Sequence, residues 1–278
     1  MKRALVAVVA VLALGVSLLA GGSTPIGAQD STVAVYAVHG IPQSLFDVLG
    51  APTTEVDVYA VPAGAGGLDA AAPAITFEFG DTAGPLDVPA GAYDIFVYPA
   101  GATPAADGSD AVLDLTTPAL PAGATAVIVA QLNEAGDGGA LTPFVLDATP
   151  TGAGQARVQP FHTAAAPEVD VELADGTPLF PGLINAVTNA AAATQDPAEV
   201  PAGTYGLQVA TPDDSLVVPL GDFDLTAGTA YFVFAVGGVG DDSFRVVPLA
   251  ITVGEDAAAP VPEAPAPAPV EAAPHFTG

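Results

Sequence analysis

The chain has 278 residues, a length that accommodates two domains of ordinary size. Its 31 Asp and Glu face only 4 Lys and Arg, for a formal net charge of −27. That balance makes nucleic acid a very poor partner and disfavours anionic membrane surfaces, because both are bound through clustered Lys and Arg, and no nucleic acid is expected as a partner. With no Cys in the chain, disulfides, a thiol nucleophile and the thiolate zinc sets are excluded too.

Met1-Lys2-Arg3 is a short basic segment, 4–20 is uninterruptedly apolar, and small residues then lead to Gly27-Ala28-Gln29. The pattern predicts a signal peptide over 1–28 with cleavage after Ala28 or nearby, hence an exported protein with no membrane span once it is removed. An uncleaved anchor helix is the other reading, since the apolar stretch is close to the lower limit of about 17 residues for crossing a bilayer. Gly21-Gly22-Ser23-Thr24-Pro25 breaks the helix before the small-residue site and favours cleavage. No Cys follows, so a lipoprotein anchor is excluded. Beyond Arg3 the basic side chains are Arg157 and Arg245. Self-repulsion on this scale fits a saline habitat or a cation-rich wall, and a host-wide acidic composition would produce it equally.

Past residue 30 the apolar residues alternate, the period of a half-buried strand. Strands are predicted at 33–38, 55–59, 75–79, 93–98, 111–115, 125–132 and 141–146. A second set follows at 156–161, 168–173, 205–210, 216–220, 230–236 and 244–253. The Ala-rich stretch 181–193 predicts a strand entering a loop or a short helical turn. Segment 149–155 is Gly- and Thr-rich without alternation and reads as a linker, so short that the domains are expected end to end with little freedom. The final segment, 255–278, alternates Pro with Ala and reads as a disordered tail of polyproline character.

The two strand sets carry the same words in the same order. Val56-Asp57-Val58, Val88-Pro89-Ala90-Gly91-Ala92-Tyr93 and Leu120-Pro121-Ala122-Gly123 return as Val169-Asp170-Val171, Val200-Pro201-Ala202-Gly203-Thr204-Tyr205 and Leu225-Thr226-Ala227-Gly228. The offset is about 110 residues, the size of a domain rather than of a solenoid repeat. The fold class predicted is therefore all-β: two tandem antiparallel β-sandwiches, over 31–148 and 156–254. In the Pro-Ala-Gly-Xaa-Tyr turns, Pro presets the turn, Gly permits positive φ, and the Tyr hydroxyl is expected to return to the preceding backbone.

These motifs resemble the DUF4397 domain, a domain of unknown function found as tandem copies in secreted or surface proteins of bacteria. The resemblance rests on Arg157-Val158-Gln159-Pro160-Phe161-His162, on Ala164-Ala165-Ala166-Pro167 before Val169-Asp170-Val171, and on the first-copy counterparts Val33 to His39 and Val56-Asp57-Val58-Tyr59. Pro89 to Tyr93 and Pro201 to Tyr205 match a further element. Both copies lack the usual Ser-Pro-Asp beside the His. The resemblance implies an immunoglobulin-like sandwich in an exported setting and carries no activity.

The repeated His39 with Asp57 and His162 with Asp170 resemble a base oriented by a carboxylate, yet no nucleophile accompanies them, and a structural His at a strand end is the reading taken. No catalytic, cofactor-binding or metal residue is assigned, and no cofactor. Asp107-Gly108-Ser109-Asp110, Asp213-Asp214 and Asp241-Asp242 are acidic loops without a known calcium spacing, expected to be solvated and at most to bind divalent cations weakly. Gly64-Ala65-Gly66-Gly67 and Gly237-Gly238-Val239-Gly240 lack the Lys-Ser/Thr and the helix of a phosphate loop and read as hairpin loops. The function expected is a non-enzymatic structural, adhesive or interaction protein of the bacterial envelope, secreted or wall-associated, with an envelope protein or polymer as partner. A carbohydrate- or wall-polymer-binding module is the alternative, disfavoured by the lack of Trp, and a hydrolase comes third.

Overall fold

A computed structural model describes residues 32–48, 53–65, 67–68 and 72–256. The expected signal peptide 1–28 and the tail from residue 257 lie outside the described residues, as does Gly66. The elements are β1 (Thr32–His39), α1 (Gln43–Val48), β2 (Val56–Pro62), β3 (Ile75–Phe77), β4 (Thr82–Pro89), β5 (Tyr93–Pro99), β6 (Leu113–Thr116), β7 (Thr125–Leu132) and β8 (Gly139–Leu146). They continue with β9 (Gln155–His162), β10 (Val169–Leu173), β11 (Pro178–Leu183), α2 (Ala186–Asn189), β12 (Ala198–Pro201), β13 (Gly203–Ala210), β14 (Val217–Leu225), β15 (Thr229–Val236) and β16 (Arg245–Thr252).

Four four-stranded sheets result, ordered β4-β1-β7-β8 and β3-β2-β5-β6 in the first half, β12-β9-β15-β16 and β11-β10-β13-β14 in the second. Adding eight to each strand number of the first half gives the second, so the repeated words correspond to a repeated topology. Each half is an all-β sandwich, as the alternation predicts. Pairing is antiparallel except that β1 runs parallel to β7 and β9 parallel to β15. Those partners are separated by the whole second sheet of their half, a connection long enough for a parallel pair.

Two strands had no forecast. β4 and β12, sequences TAGPLDVP and AEVP, carry Pro and acidic residues that obscure strand character. Both are edge strands, where a missing N–H costs no ladder bond. The Ala-rich stretch behaves as expected, with β11 leading into the single turn of α2. Helix α1 was not foreseen; it is only six residues long and buries Phe46.

The core explains how the halves meet. In β7, Ala126, Ile128, Ala130 and Leu132 point into the first sandwich with Val33, Phe77 and Ile95. The alternate residues Val127 and Val129 join Val38, Phe144 and Leu146 against Phe161, Phe232, Phe234 and Val236 of the second half. The sheets β4-β1-β7-β8 and β12-β9-β15-β16 therefore pack face to face, and an end-to-end arrangement is corrected to a stack of four layers. Strand β7 is buried on both faces, which is why it reads as a continuous apolar run.

Polar contacts fasten the same junction. Asn185 accepts from Val187 N at 2.9 Å at the start of α2, and its amide donates to Leu132 O at 3.0 Å and Ala164 O at 2.6 Å. Arg157, 6% exposed, donates to the carbonyls of Asp147, Thr149 and Pro150 at 3.1, 2.8 and 3.2 Å. It also pairs with Asp147 at 3.2 Å and Glu199 at 2.8 Å. The linker is thus pinned by one guanidinium. Arg245 lies 4.0 Å over the ring of Phe79, again across the two halves.

Candidate functional site

The repeated His and Asp occupy equivalent places and do not meet. His39, at the end of β1, is fully buried, with Nε2 2.8 Å from Thr54 O and Nδ1 3.3 Å from Ile41 N. A nitrogen facing a carbonyl carries the proton, so Nε2 donates and Nδ1 accepts. Phe46, Phe77 and Phe79 surround the ring at centroid distances of 5.9, 5.4 and 6.4 Å. Burial among them lowers its pKa to about 4, although the Thr54 carbonyl and the Asp81 charge act in the other direction. Asp57 accepts from Thr76 Oγ1 at 2.5 Å and from Gly101 N at 2.8 Å, tying β2 to β3 and to the loop after β5.

The second half repeats the clamp with one difference. His162 Nε2 lies 2.8 Å from Pro167 O, and Asp170 accepts from Gly182 N at 2.6 Å. His162 is 1% exposed, but its Nδ1 has no hydrogen-bond partner. Burial lowers its pKa too, against the Pro167 and Ala166 carbonyls and the Glu134 charge. In each half, then, the His closes the loop between the first two strands; Asp57 ties its strand to β3 and to the loop after β5, whereas Asp170 ties β10 to its neighbour β11. Neither imidazole is oriented by its neighbouring Asp.

The tyrosine turns work as their spacing predicts. Tyr93 OH donates to Pro89 O at 2.7 Å and Tyr205 OH to Pro201 O at 2.8 Å. Tyr231 OH reaches Asp224 O at 3.3 Å and accepts from Thr226 N at 3.0 Å.

The acidic loops are closed on themselves. Asp107 accepts from the Ser109 N and Oγ, and Asp110 from Tyr98 OH at 2.8 Å and Ala105 N at 2.9 Å. Asp213 accepts from Thr211 Oγ1 and Ser215 N, and hydrogen bonds from Ser215 and Thr211 hold its pKa down to about 2. Asp241 accepts from Ser243 and, across the junction, from Ser44 at 2.6 Å. Among the described residues no group of three or more His, Cys, Asp or Glu is placed to hold a metal ion.

Hollows accompany these groups among the described residues. One of about 520 Å³ opens at the junction beside Ser44, Glu134, Pro167 and Asp241. A slim gap of about 50 Å³ lies inside the first sandwich. The second sandwich holds a cavity of about 140 Å³ between its sheets, walled by apolar side chains together with His162 and Tyr205. Alternation identifies which residues face inward and gives no measure of how far apart the sheets stand.

The domain of unknown function DUF4397 matches residues 33–172, from β1 through β9 into β10. No curated protein matches the chain. Among solved structures, a candidate cell adhesion protein from Bacteroides ovatus shares 12% identity over 78% of this chain and 95% of its own, with a TM-score of 0.22. The fimbrial anchor protein Mfa2 from Porphyromonas gingivalis shares 12% identity over 80% of this chain and 98% of its own, with a TM-score of 0.18. Likeness at these scores bears on neither architecture nor activity. With the matched segment covering half of its length, the chain belongs to the DUF4397 family.

Proposed function

We propose that this protein is an exported, non-enzymatic structural or adhesive module of the bacterial cell envelope, built from two copies of the same sandwich. The observation that carries the reading is the junction: Val127, Val129 and Phe144 of one half and Phe161, Phe232 and Phe234 of the other form one continuous core. Two sandwiches joined in this way form a stiff body, which suits bearing load or presenting loops at a fixed spacing. The repeated His and Asp residues support it further, because each fastens a strand to a loop or to a neighbouring strand. Export rests on the basic and apolar N-terminal pattern. The acidic loops on the outside suit partners that carry cations or basic groups.

Cell fractionation followed by zero-length carbodiimide crosslinking tests the proposal, since the chain is rich in carboxylates and its sole Lys is Lys2. The expected result is recovery in the envelope or medium, joined to an envelope protein. Recovery in the cytoplasm overturns it. Retention on wall polysaccharide in a pull-down would mark a polymer-binding module instead.

A further inference from the structure

We propose that the second sandwich binds a small neutral hydrocarbon molecule, of the size of a benzene ring, held between its two sheets. The site does not depend on the envelope role proposed above. An apolar cavity of about 150 Å³ stays dry and accepts benzene. The hollow here is about 140 Å³, and among its lining side chains only His162 and Tyr205 carry polar atoms. Tyr205 OH donates to Pro201 O and His162 Nε2 to Pro167 O, while His162 Nδ1 is shut off from the accessible surface. A water molecule needs about two to four polar partners, so this space favours hydrocarbon over water. A polar ligand would lose its hydration there without replacement. Leu220 of β14 and Val246 of β16 line the hollow from edge strands of the facing sheets, and both remain partly exposed, which gives a way in.

The first sandwich fills the corresponding space with its own chain. There the loop between β1 and β2 brings Ile41, Leu45 and Phe46 against the core. A Cβ on Gly139 of β8 would lie 3.1 Å from Ile41 Cδ1, 3.1 Å from Leu113 Cδ2 and 3.2 Å from Leu45 Cδ2, so this loop meets β6 and β8 at their edge. The loop between β9 and β10 is only Thr163-Ala164-Ala165-Ala166-Pro167-Glu168, with no large apolar side chain to take their place. The ladders add to the deficit. Ala130 pairs with His39 and Leu141, and Ala235 with His162 and Val246, so Val246 stands where the first half has Leu141. In the same registers Val233 stands for Ile128, and Leu183, opposite Val169, for Phe77, opposite Val56. Pro160, Leu173 and Phe180, in the places of Ala37, Ala60 and Ile75, return only part of that volume. The space left is about 140 Å³, against about 50 Å³ in the first sandwich. Apolar surfaces held apart forfeit dispersion contacts, and a hydrocarbon between them restores those contacts.

The test is a thermal melt of the full chain with toluene or with benzamide, joined to NMR of the unaltered protein with toluene. Toluene is expected to raise the melting temperature by a few degrees in a saturable way, and benzamide, a neutral ring of similar shape with a polar amide, to leave it unchanged. NOEs are expected from the toluene ring to the methyl groups of Val171, Val209 and Val246. Val233→Ile combined with Val246→Leu places the first half's residues in the wall, narrows the hollow below the size of the ring and is expected to abolish the shift. No saturable shift with toluene, an equal shift with benzamide, NOEs to Val58 and Val97 of the first sandwich instead, or an undiminished shift in the folded double variant overturns the proposal. The NOEs need only the unaltered protein, so they decide the matter even if the double variant fails to fold.

Discussion

The ring of Phe144 meets that of Phe161 edge-on at a centroid distance of 4.8 Å, joining the last strand of one sandwich to the first strand of the next. Phe161 in turn stacks on Phe234 at 4.7 Å. Because both rings belong to a core shared by the halves, denaturant should unfold the chain in one transition. Phe161→Ala removes a fully buried ring and should cost about 3–5 kcal/mol, read as a lowered midpoint. Two well-separated transitions in the unaltered protein would show that the halves fold independently.

Gly40 fixes how closely the halves approach. A Cβ there would lie 2.7 Å from Ala130 O and 2.9 Å from Val236 Cγ1, and Gly40 O accepts from Gly237 N across the junction at 3.2 Å. Gly40→Ala should therefore destabilise by about 1–3 kcal/mol through overpacking. Thermal melts of the variant report this, and an unchanged midpoint would mean that the junction yields without strain.

Arg157 is held mainly by carbonyl oxygens, and its carboxylate partners Asp147 and Glu199 have side chains 41% and 37% exposed. Arg157→Lys keeps the charge and loses the forked set of donors, so a loss of about 2 kcal/mol is expected. Bonds to carbonyls resist screening, so the loss should persist in molar salt. If salt erases the difference between the two proteins, the ion pairs and not the carbonyls dominate.

Acid sensitivity follows from the buried imidazoles. His39 titrates at about 4 when folded and near 6.5 when unfolded, so below pH 6.5 the unfolded chain binds a proton that the folded chain refuses. Stability from this group is complete above pH 6.5 and falls as the pH drops toward 4, by about 3 kcal/mol in all. His162 shifts in the same direction. Denaturant midpoints measured from pH 7 to pH 4 should fall, and less steeply in His39→Gln. A flat profile would refute burial of a neutral His39.

The sequence revealed strand character wherever inward positions alternate with polar ones, as in β2, β5 and β13. It revealed the tyrosine turns because Pro, Gly and Tyr have separate, position-specific tasks. β4 and β12 stayed hidden because edge strands tolerate Pro and acids that a central strand excludes. The junction was concealed in β7, whose continuous apolar run shows burial on two faces without showing what covers the second. The His and Asp residues stood out as a repeated pair, but proximity in sequence did not reveal that each bonds backbone and not its neighbour. The cavity was illegible for a related reason: Val158, Val171 and Leu207 are the residues of any packed sandwich, and only sheet separation distinguishes a filled interior from a hollow one.

The placement of the two arginines has a consequence for survival outside the cell. A trypsin-like protease cuts only after Lys or Arg, and beyond residue 3 this chain offers it only Arg157 and Arg245. Arg157 is buried under the linker it organises, and Arg245 lies in β16, hydrogen-bonded along β15. Cleavage at the first would require the sandwiches to part and cleavage at the second would require a strand to peel away. The same scarcity of basic residues that makes the surface acidic therefore leaves the folded body with almost nothing for such enzymes to grip.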